Sequence, residues 1–186
     1  LDEALEIKTL GNNLFKEGNY AGALNEYEEA LRHCPSTEDL NMSHLYNNMA
    51  ACHLKLDEYE HAVEACTDSL RHQPRSEKAL YRRAKANEAL ATSSSLAAAL
   101  KDYRVIADQP DVSSDTHSFC TRQVTTLPAR ISRTQEEEKD KLLGQLKNLG
   151  NSLLGKFGMS LDDFQTQQDP TTGATSVNLR SKPGSK

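Results

Sequence analysis

The sequence predicts an all-α fold, an α-solenoid in which three helix pairs stack side by side and a capping helix and a long helical extension follow. Residues that favour helices, Ala, Leu and Glu, are abundant among the 186 residues, and runs of β-branched residues are nearly missing. Two stretches, GNYAGALNEYEEALRHCP and DEYEHAVEACTDSLRHQP, share one spacing, with tyrosine early, alanine in the middle and LRH before proline. Stacked helix pairs are the architecture that such a repeat predicts.

Each repeat unit is expected to form two helices. In EIKTLGNNLF, which begins at Glu6, apolar residues recur at helical spacing and form one packing face. Glycine or polar residues interrupt the middle of a unit, and a proline closes its second helix because it cannot continue one. The third unit is looser, and we expect extra residues in STEDLNM and TSSS to lengthen loops. The predicted helix pairs span about 4–37, 43–76 and 77–110.

Two further helices are predicted after Pro110. A capping helix over residues 114–127 would cover the exposed edge of the third pair; its apolar residues at i, i+4 and i+7 are Cys120, Val124 and Leu127. Residues 129–158 begin highly charged and become amphipathic, which predicts a second helix with a stripe at Leu142, Leu146, Leu149 and Leu153. Residues 165–186 are polar and rich in turn formers, and we expect them to be disordered.

Composition and charge argue against several classes of partner. The net charge of -5 disfavours a nucleic acid or an anionic membrane surface. No apolar stretch reaches the ~20 residues of a membrane span. The four cysteines form no CxxC pair, so we expect reduced packing residues of a cytoplasmic protein. The chain begins with Leu1 rather than Met, which leaves room for a segment upstream.

Motifs of metal, cofactor and catalytic sites are missing from the sequence. The six histidines form no HxxxH pair and no cluster with cysteine at finger spacing, so we expect neither a metal nor a cofactor. We interpret His53 and Asn87, which interrupt the packing stripe, as hydrogen-bonded or partly exposed groups at the edge of the core rather than as ligands. No Ser/His/Asp order, carboxylate pair or phosphate loop suggests catalysis, and we do not expect an enzyme.

Five polar residues share one face of the predicted first helices. Counted from the first residue of each repeat, Ala4, Ser43 or Glu77, they occupy positions two, five, six and nine. At about 100° per residue these positions fall in one arc, away from the packing positions. First helices line the concave groove of such a solenoid, so the five side chains are expected to converge there. They are Lys8, Asn12, Asn48, Lys78 and Arg82.

This set of residues offers hydrogen-bond donors and positive charge but no carboxylate. Lysine and arginine make charge-assisted bonds to carboxylates, and asparagine adds directional amide donors. The set therefore suits a ligand with two carboxylates close together, such as a peptide that ends in an acidic residue. The alternative is a solvated face, although such a face would usually mix in acids. For the neighbouring Arg83 and Lys85 we favour a solvated face; the alternative is that they extend the positive potential toward glutamates upstream in the ligand.

The repeat resembles the tetratricopeptide repeat family, whose unit is about 34 residues, with small residues at the positions of Gly11, Ala23 and Ala30. The five polar residues resemble the carboxylate clamp of its chaperone-binding members, which consists of Lys, Asn, Asn, Lys and Arg. The resemblance implies a right-handed solenoid and a cytosolic co-chaperone adaptor. Its groove would bind the EEVD C-termini of heat shock protein 90 and heat shock protein 70 chaperones.

The stretch LLGQLKNLGNSLLGKFGMSLDDFQ is similar to the C-terminal region of small eukaryotic members of the same family. That resemblance suggests a second protein partner at the C-terminal helix, although packing in the core is an equal alternative for its apolar residues. A different hypothesis is an assembly scaffold, in which this amphipathic helix drives oligomerisation and the groove binds an internal acidic motif. The apolar residues near its end are Phe157, Met159 and Phe164.

Overall fold

The computed structural model describes residues 1–168 and 175–179, and within them the chain is largely helical. The helices are α1 Asp2–Lys16, α2 Tyr20–His33, α3 Asp39–Lys55, α4 Tyr59–His72, α5 Glu77–Leu90, α6 Ser93–Ala107 and α7 Ser114–Gly155. The first six pack as three successive pairs, and neighbouring pairs meet through α2 with α3 and α4 with α5. The predicted all-α solenoid is confirmed. None of the helices in the described residues is both long and apolar enough to cross a membrane.

Small residues allow the two helices of the first pair to approach closely. Gly11, Ala23 and Ala30 are buried there. A Cβ atom at Gly11 would lie 2.8 Å from Cε1 of Tyr27, whose ring is itself buried. Any side chain at this position would push the ring away from α1, which explains why the position holds glycine.

The second helices of the first and third pairs begin at polar N-cap residues. Asn19 accepts a hydrogen bond from the N–H of Gly22 at 2.9 Å, and Thr92 forms a capping box with Ser95. The expectation that TSSS lengthens a loop is therefore wrong, because these residues provide the cap and the first turn of α6. They satisfy N–H groups that the start of a helix would otherwise leave unpaired.

A single helix, α7, covers the two segments expected to form separate helices at 114–127 and 129–158. Pro128 lies inside α7, although an internal proline removes a hydrogen bond and costs about 3 kcal/mol. The helix continues because its packing face continues across the proline at helical spacing. The residues of this face are Cys120, Val124, Leu127 and Ile131, and they join the apolar core of α5 and α6.

The chain divides into two compact units, Leu1–Gln135 and Glu136–Lys186. In the described part of the second unit, Leu161 lies in a 3₁₀ turn and its N–H donates to Asn151 Oδ1 at 2.7 Å. A Cβ atom at Gly150 would lie 2.7 Å from Cδ1 of Leu161. The glycine therefore allows the turn to approach the end of α7.

Two short strands follow the 3₁₀ turn, β1 Phe164–Gln168 and β2 Thr175–Leu179. They pair antiparallel, with Phe164 opposite Leu179. The disorder expected for residues 165–186 is wrong for these strand residues, because backbone hydrogen bonds can order a hairpin whose composition is polar. The rest of that range, 169–174 and 180–186, lies outside the described residues.

The four cysteines are free and buried, in agreement with packing residues. Burial raises the pKa of the Cys66 thiol to about 12 and those of Cys52 and Cys120 to about 11. These thiols stay protonated at neutral pH, and a protonated, buried thiol is a poor nucleophile and a poor metal ligand. The cysteines therefore contribute volume to the core rather than chemistry.

Replacing Gly11 with alanine is expected to destabilise the first unit, although alanine favours a helix over glycine by about 1 kcal/mol. The new Cβ overlaps the Tyr27 ring, and this over-packing outweighs the gain, with a net loss of about 1–2 kcal/mol. Gly144→Ala in α7 is the matched control, because a Cβ there meets nothing within 4 Å. Urea denaturation followed by circular dichroism should give a lower midpoint for Gly11→Ala alone. An unchanged midpoint for Gly11→Ala would contradict the close approach.

Candidate functional site

A cavity of about 270 Å³ is formed by residues of α1, α3 and α5, the first helices of the three pairs. All five residues singled out in the sequence line it. Three further residues line it that the sequence analysis did not identify, namely His44, Asn47 and Ser76. The cavity lining is Lys8, Asn12, His44, Asn47, Asn48, Ser76, Lys78 and Arg82.

The helix α1 places Lys8 and Asn12 one turn apart on the same face, since residues at i and i+4 are neighbours on a helix surface. The adjoining face carries Ala4 and Gly11, which are buried in the first pair. Because Gly11 lies against the Tyr27 ring, α1 cannot rotate about its axis without losing this contact. The packing of α1 therefore determines which of its side chains line the cavity.

The Asn12 amide is oriented by two hydrogen bonds to its carbonyl oxygen. The Tyr27 hydroxyl donates to Asn12 Oδ1 at 2.8 Å, and Asn48 Nδ2 donates to the same oxygen at 3.2 Å. A carbonyl oxygen with two donors has its acceptor capacity filled. The Nδ2 group is then the end of the Asn12 amide that can donate to a ligand. The bond from Asn48 also links α1 to α3 across the boundary between the first two pairs.

Arg82 brings a partly desolvated positive charge to the cavity. Its Nη1 atom donates to the backbone carbonyl of Asn47 at 3.0 Å, which ties α5 to α3. Burial lowers the pKa of Arg82, and the groups that oppose this effect are the thiols of Cys66 and Cys52 and the phenol of Tyr27. Arg82 nevertheless remains charged at neutral pH, because the ordinary pKa of arginine lies far above 7. A cation held in this way favours an anionic ligand.

The guanidinium of Arg82 also lines a smaller cavity of about 80 Å³ next to Tyr27. Asn12 and Asn48 line this cavity as well as the larger one. Three of the five predicted residues therefore line both cavities. The remaining two, Lys8 and Lys78, line only the larger cavity.

His44 lies among positive charges in this cavity. Burial lowers its pKa, and the charges of Lys8 and Lys78 lower it further. The imidazole is therefore neutral at pH 7, and its protonation is opposed by the two lysines. Any ligand that brings negative charge between these groups would offset that opposition.

Asn47 contributes a buried amide to the same wall. Its side chain is only 4% exposed, and its Oδ1 atom has no hydrogen-bond partner among the residues that the structure describes. A buried amide oxygen without a partner costs about 1–3 kcal/mol. Asn47 therefore lines the cavity while its amide oxygen stays buried and unsatisfied by the described residues.

Arg83 and Lys85, which the sequence analysis assigned to a solvated face, have partners elsewhere. Arg83 makes a two-point ion pair with Asp102 at 2.8 and 2.7 Å, and its Nη1 donates to Thr67 at 3.2 Å. The hydrogen bond to Asp102 raises the pKa of Arg83. The solvated-face assignment is wrong for Arg83, because Asp102 is buried and needs a compensating cation. Lys85 is exposed and lies 3.5 Å from Glu88.

His44 and Asn47 could have been found from the repeat itself. Counted within the second repeat, His44 occupies position two, which Lys78 occupies in the third. Asn47 occupies position five, which Lys8 occupies in the first. The positional rule that identified the lysines therefore applies equally to these two residues.

Comparison with known proteins places the first two helix pairs in a defined family. Residues 3–75 match the family model described as a tetratricopeptide repeat. Over 90 residues the chain is 39% identical to the mitochondrial import receptor subunit TOM70 of Homo sapiens. That alignment covers 48% of this chain and 15% of TOM70, so the chain spans only a small part of this curated relative.

Two solved structures share the fold. The first TPR domain of Spaghetti (RPAP3), bound to the HSP90 peptide SRMEEVD, aligns with a TM-score of 0.58 at 24% identity. The alignment covers 68% of this chain and 97% of that domain. The second TPR domain of human RPAP3, in complex with the HSP70 peptide SGPTIEEVD, aligns with a TM-score of 0.55 at 25% identity. Here the coverage is 68% of this chain and 95% of that domain.

The imidazole of His44 is expected to titrate with a pKa below 6.5 in the folded protein. The folded state then binds fewer protons at His44 than the unfolded state. Its contribution to stability is present above pH 6.5 and is lost as the pH falls through 6.5 toward the lower folded pKa. An NMR titration of the imidazole measures this pKa directly. Lys8→Gln and Lys78→Gln should each raise it, whereas Lys16→Gln, at the far end of α1, should not. A pKa at or above 6.5 would contradict the positive surroundings.

Proposed function

Because residues 3–75 belong to the tetratricopeptide repeat family, we propose that the chain is a cytosolic co-chaperone adaptor rather than an enzyme. It binds the acidic EEVD tail of heat shock protein 90, heat shock protein 70 or both. The observation that carries the proposal is the meeting of donors from three helices in one cavity of about 270 Å³. The carboxylate clamp consists of Lys8, Asn12, Asn48, Lys78 and Arg82.

The chemistry of the cavity suits a peptide terminus with two carboxylates, one from the main chain and one from the last side chain. Two lysines and one arginine supply charge, and the oriented Asn12 amide supplies a directional donor. Each hydrogen bond to a charged group contributes about 1.5–3 kcal/mol to the binding free energy. The entropy lost when a flexible tail becomes ordered offsets part of this gain. The expected dissociation constant is micromolar, which corresponds to a binding free energy of about -8 kcal/mol.

The similarity to a peptide-bound domain supports the same ligand class. The second TPR domain of human RPAP3 was solved with a peptide that ends in EEVD, and it aligns with most of this chain. The similarity to an import receptor subunit shows that related repeats also occur in receptors. We place this chain among the adaptors because it resembles tetratricopeptide repeat protein 1. The two share the order of their parts, in which the repeats are followed by a long helix and a stretch like SLLGKFGMSLDDF.

A second candidate function is an assembly scaffold, which the exposed apolar residues of α7 favour. Four leucines spaced at four, three and four residues are 54–60% exposed in the second unit. Such a stripe suits a protein partner, either a client of the adaptor or another copy of the chain. In the scaffold alternative the cavity binds an internal acidic motif, which has no terminal carboxylate. The four residues are Leu142, Leu146, Leu149 and Leu153.

Calorimetric titration with a MEEVD peptide tests the proposed function. The unmodified protein should bind with a micromolar dissociation constant, and Lys8→Ala should weaken binding about 10- to 100-fold because one charge-assisted contact is lost. Lys16→Ala, on the same helix but outside the cavity, is the matched control and should bind normally. Raising the salt concentration should weaken binding, since the contacts are ionic.

The same peptide with an amidated C-terminus separates the two candidate functions. Loss of binding on amidation supports the clamp. Equal binding of the free and the amidated peptide favours the scaffold, because an internal motif does not present a terminal carboxylate. No binding of either peptide by the unmodified protein would contradict the adaptor proposal.

Replacing Tyr27 with phenylalanine should weaken peptide binding about 3- to 10-fold, although the Tyr27 hydroxyl bonds to Asn12 rather than to the peptide. The change removes the hydroxyl that holds Asn12 Oδ1 at 2.8 Å, and the net value of such a bond is about 0.5–1.5 kcal/mol. Tyr103→Phe is the matched control, because its hydroxyl donates to Glu88 in the third pair, outside the cavity. Both variants should lose stability, but only Tyr27→Phe should lose affinity in the same titration. Equal affinities would mean that Tyr27 does not position Asn12.

A further inference from the structure

A second group of polar side chains lies at the turn between α3 and α4, and none of its members lines the cavity. His53, Glu58 and His61 each offer one ligand atom, and these atoms all lie within 4.8 Å of one another. His53 Nδ1 is 2.7 Å from Glu58 Oε2, and the rings of His53 and His61 have centroids 5.4 Å apart. The three residues therefore form a compact group of two imidazoles and one carboxylate.

The backbone of the turn brings this group together. The N–H of Glu58 donates to the carbonyl of His53 at 2.9 Å, which closes the turn directly between two of the three residues. Asp57 has the left-handed φ of 58° that lets α3 reverse into α4. His53 is in the last turn of α3, and His61 is in the first turn of α4. The two histidines therefore stand on helices, and Glu58 stands at the N-cap position between them.

Glu58 stands at an N-cap position but does not act as a cap. The equivalent residues of the first and third repeats, Asn19 and Thr92, both accept a hydrogen bond from a backbone N–H of the following helix. The Glu58 side chain makes no such bond and lies instead against His53. The second repeat therefore gives up a cap that is typically worth about 1 kcal/mol and gains a carboxylate beside two imidazoles.

We propose that His53, Glu58 and His61 bind a zinc ion, with the fourth position open to water. Two imidazoles and one carboxylate are a ligand set that zinc commonly takes, with metal–ligand distances of about 2.0–2.2 Å. Ligand atoms of a tetrahedral ion lie about 3.3 Å apart by that geometry. The present spacing within 4.8 Å reaches this value through side-chain rotation, with the ion replacing the proton shared by His53 and Glu58.

The burial of the three residues suits a site that is anchored on one side and open on the other. The His53 side chain is 16% exposed and held at the end of α3, whereas Glu58 is 45% exposed and His61 is exposed. An ion can enter from the open side without unfolding the turn. Once bound, it joins the end of α3 to the start of α4. The stabilisation of the second helix pair grows with the logarithm of one plus the ratio of the zinc concentration to the dissociation constant.

Metal titration of the full chain, purified without a polyhistidine tag, tests the proposal. Calorimetry with zinc chloride should show one ion per chain, and Co²⁺ should give the visible absorption of a tetrahedral site that zinc then displaces. His61→Gln and Glu58→Gln should each weaken binding at least about tenfold, because each removes one of three protein ligands. Zinc should also raise the melting temperature of the unmodified chain and not of His61→Gln.

His33→Gln is the matched control. His33 Nε2 also lies 2.9 Å from a glutamate oxygen, Glu29 Oε1, but His33 does not belong to the proposed zinc site. It should bind zinc as the unmodified chain does. No detectable binding, or binding that His61→Gln and Glu58→Gln leave unchanged, overturns the proposal. An intense thiolate-to-Co²⁺ absorption band also overturns it, because it would assign the ion to the cysteines.

Discussion

The close approach of α1 and α2 at Gly11 is the constraint on which the rest of the structure depends. It allows the Tyr27 ring to lie against α1, and the hydroxyl of the same residue then donates to Asn12 Oδ1. Asn12 accepts a second bond from Asn48 of the next pair. A packing contact within one pair therefore orients a donor in the cavity and links it to the neighbouring pair. Under the proposed function, stability and peptide binding depend on the same side chains.

Two adjacent arginines of α5 have different surroundings, and only Arg82 lines the cavity. Arg83 is matched by the buried carboxylate of Asp102, and this pair compensates its charge within the fold. Arg82 donates to a backbone carbonyl, and a neutral carbonyl leaves the charge uncompensated. Neighbouring positions on a helix point about 100° apart, which is enough to send one arginine into the core and the other into the cavity. Only Arg82 therefore fits the role that the proposed clamp requires.

The repeated spacing predicted the helix pairs because packing positions recur with the helical period, and the same count placed five polar residues on one wall. His44 and Asn47 occupy equivalent positions and were missed because their residue types did not match the lysines. The continuous α7 could not be predicted from Pro128, since the local cost of a proline is outweighed by a packing face that exists only once α5 and α6 are in place. The hairpin of β1 and β2 depends on backbone pairing between segments whose side chains carry almost no periodic signal.

The turn between α3 and α4 shows a related limit of motif reading. Spacing rules for metal ligands assume one helix or one known loop, whereas His53 and His61 belong to two helices joined by a reversal at Asp57. In all three repeats a residue with a left-handed φ precedes the N-cap residue, and in two of them the cap position serves the helix that follows. In the second repeat the carboxylate of Glu58 faces the preceding helix instead. The zinc proposal therefore rests on a position at which the second repeat departs from the other two copies, because functional sites are where a chain is expected to break a local rule.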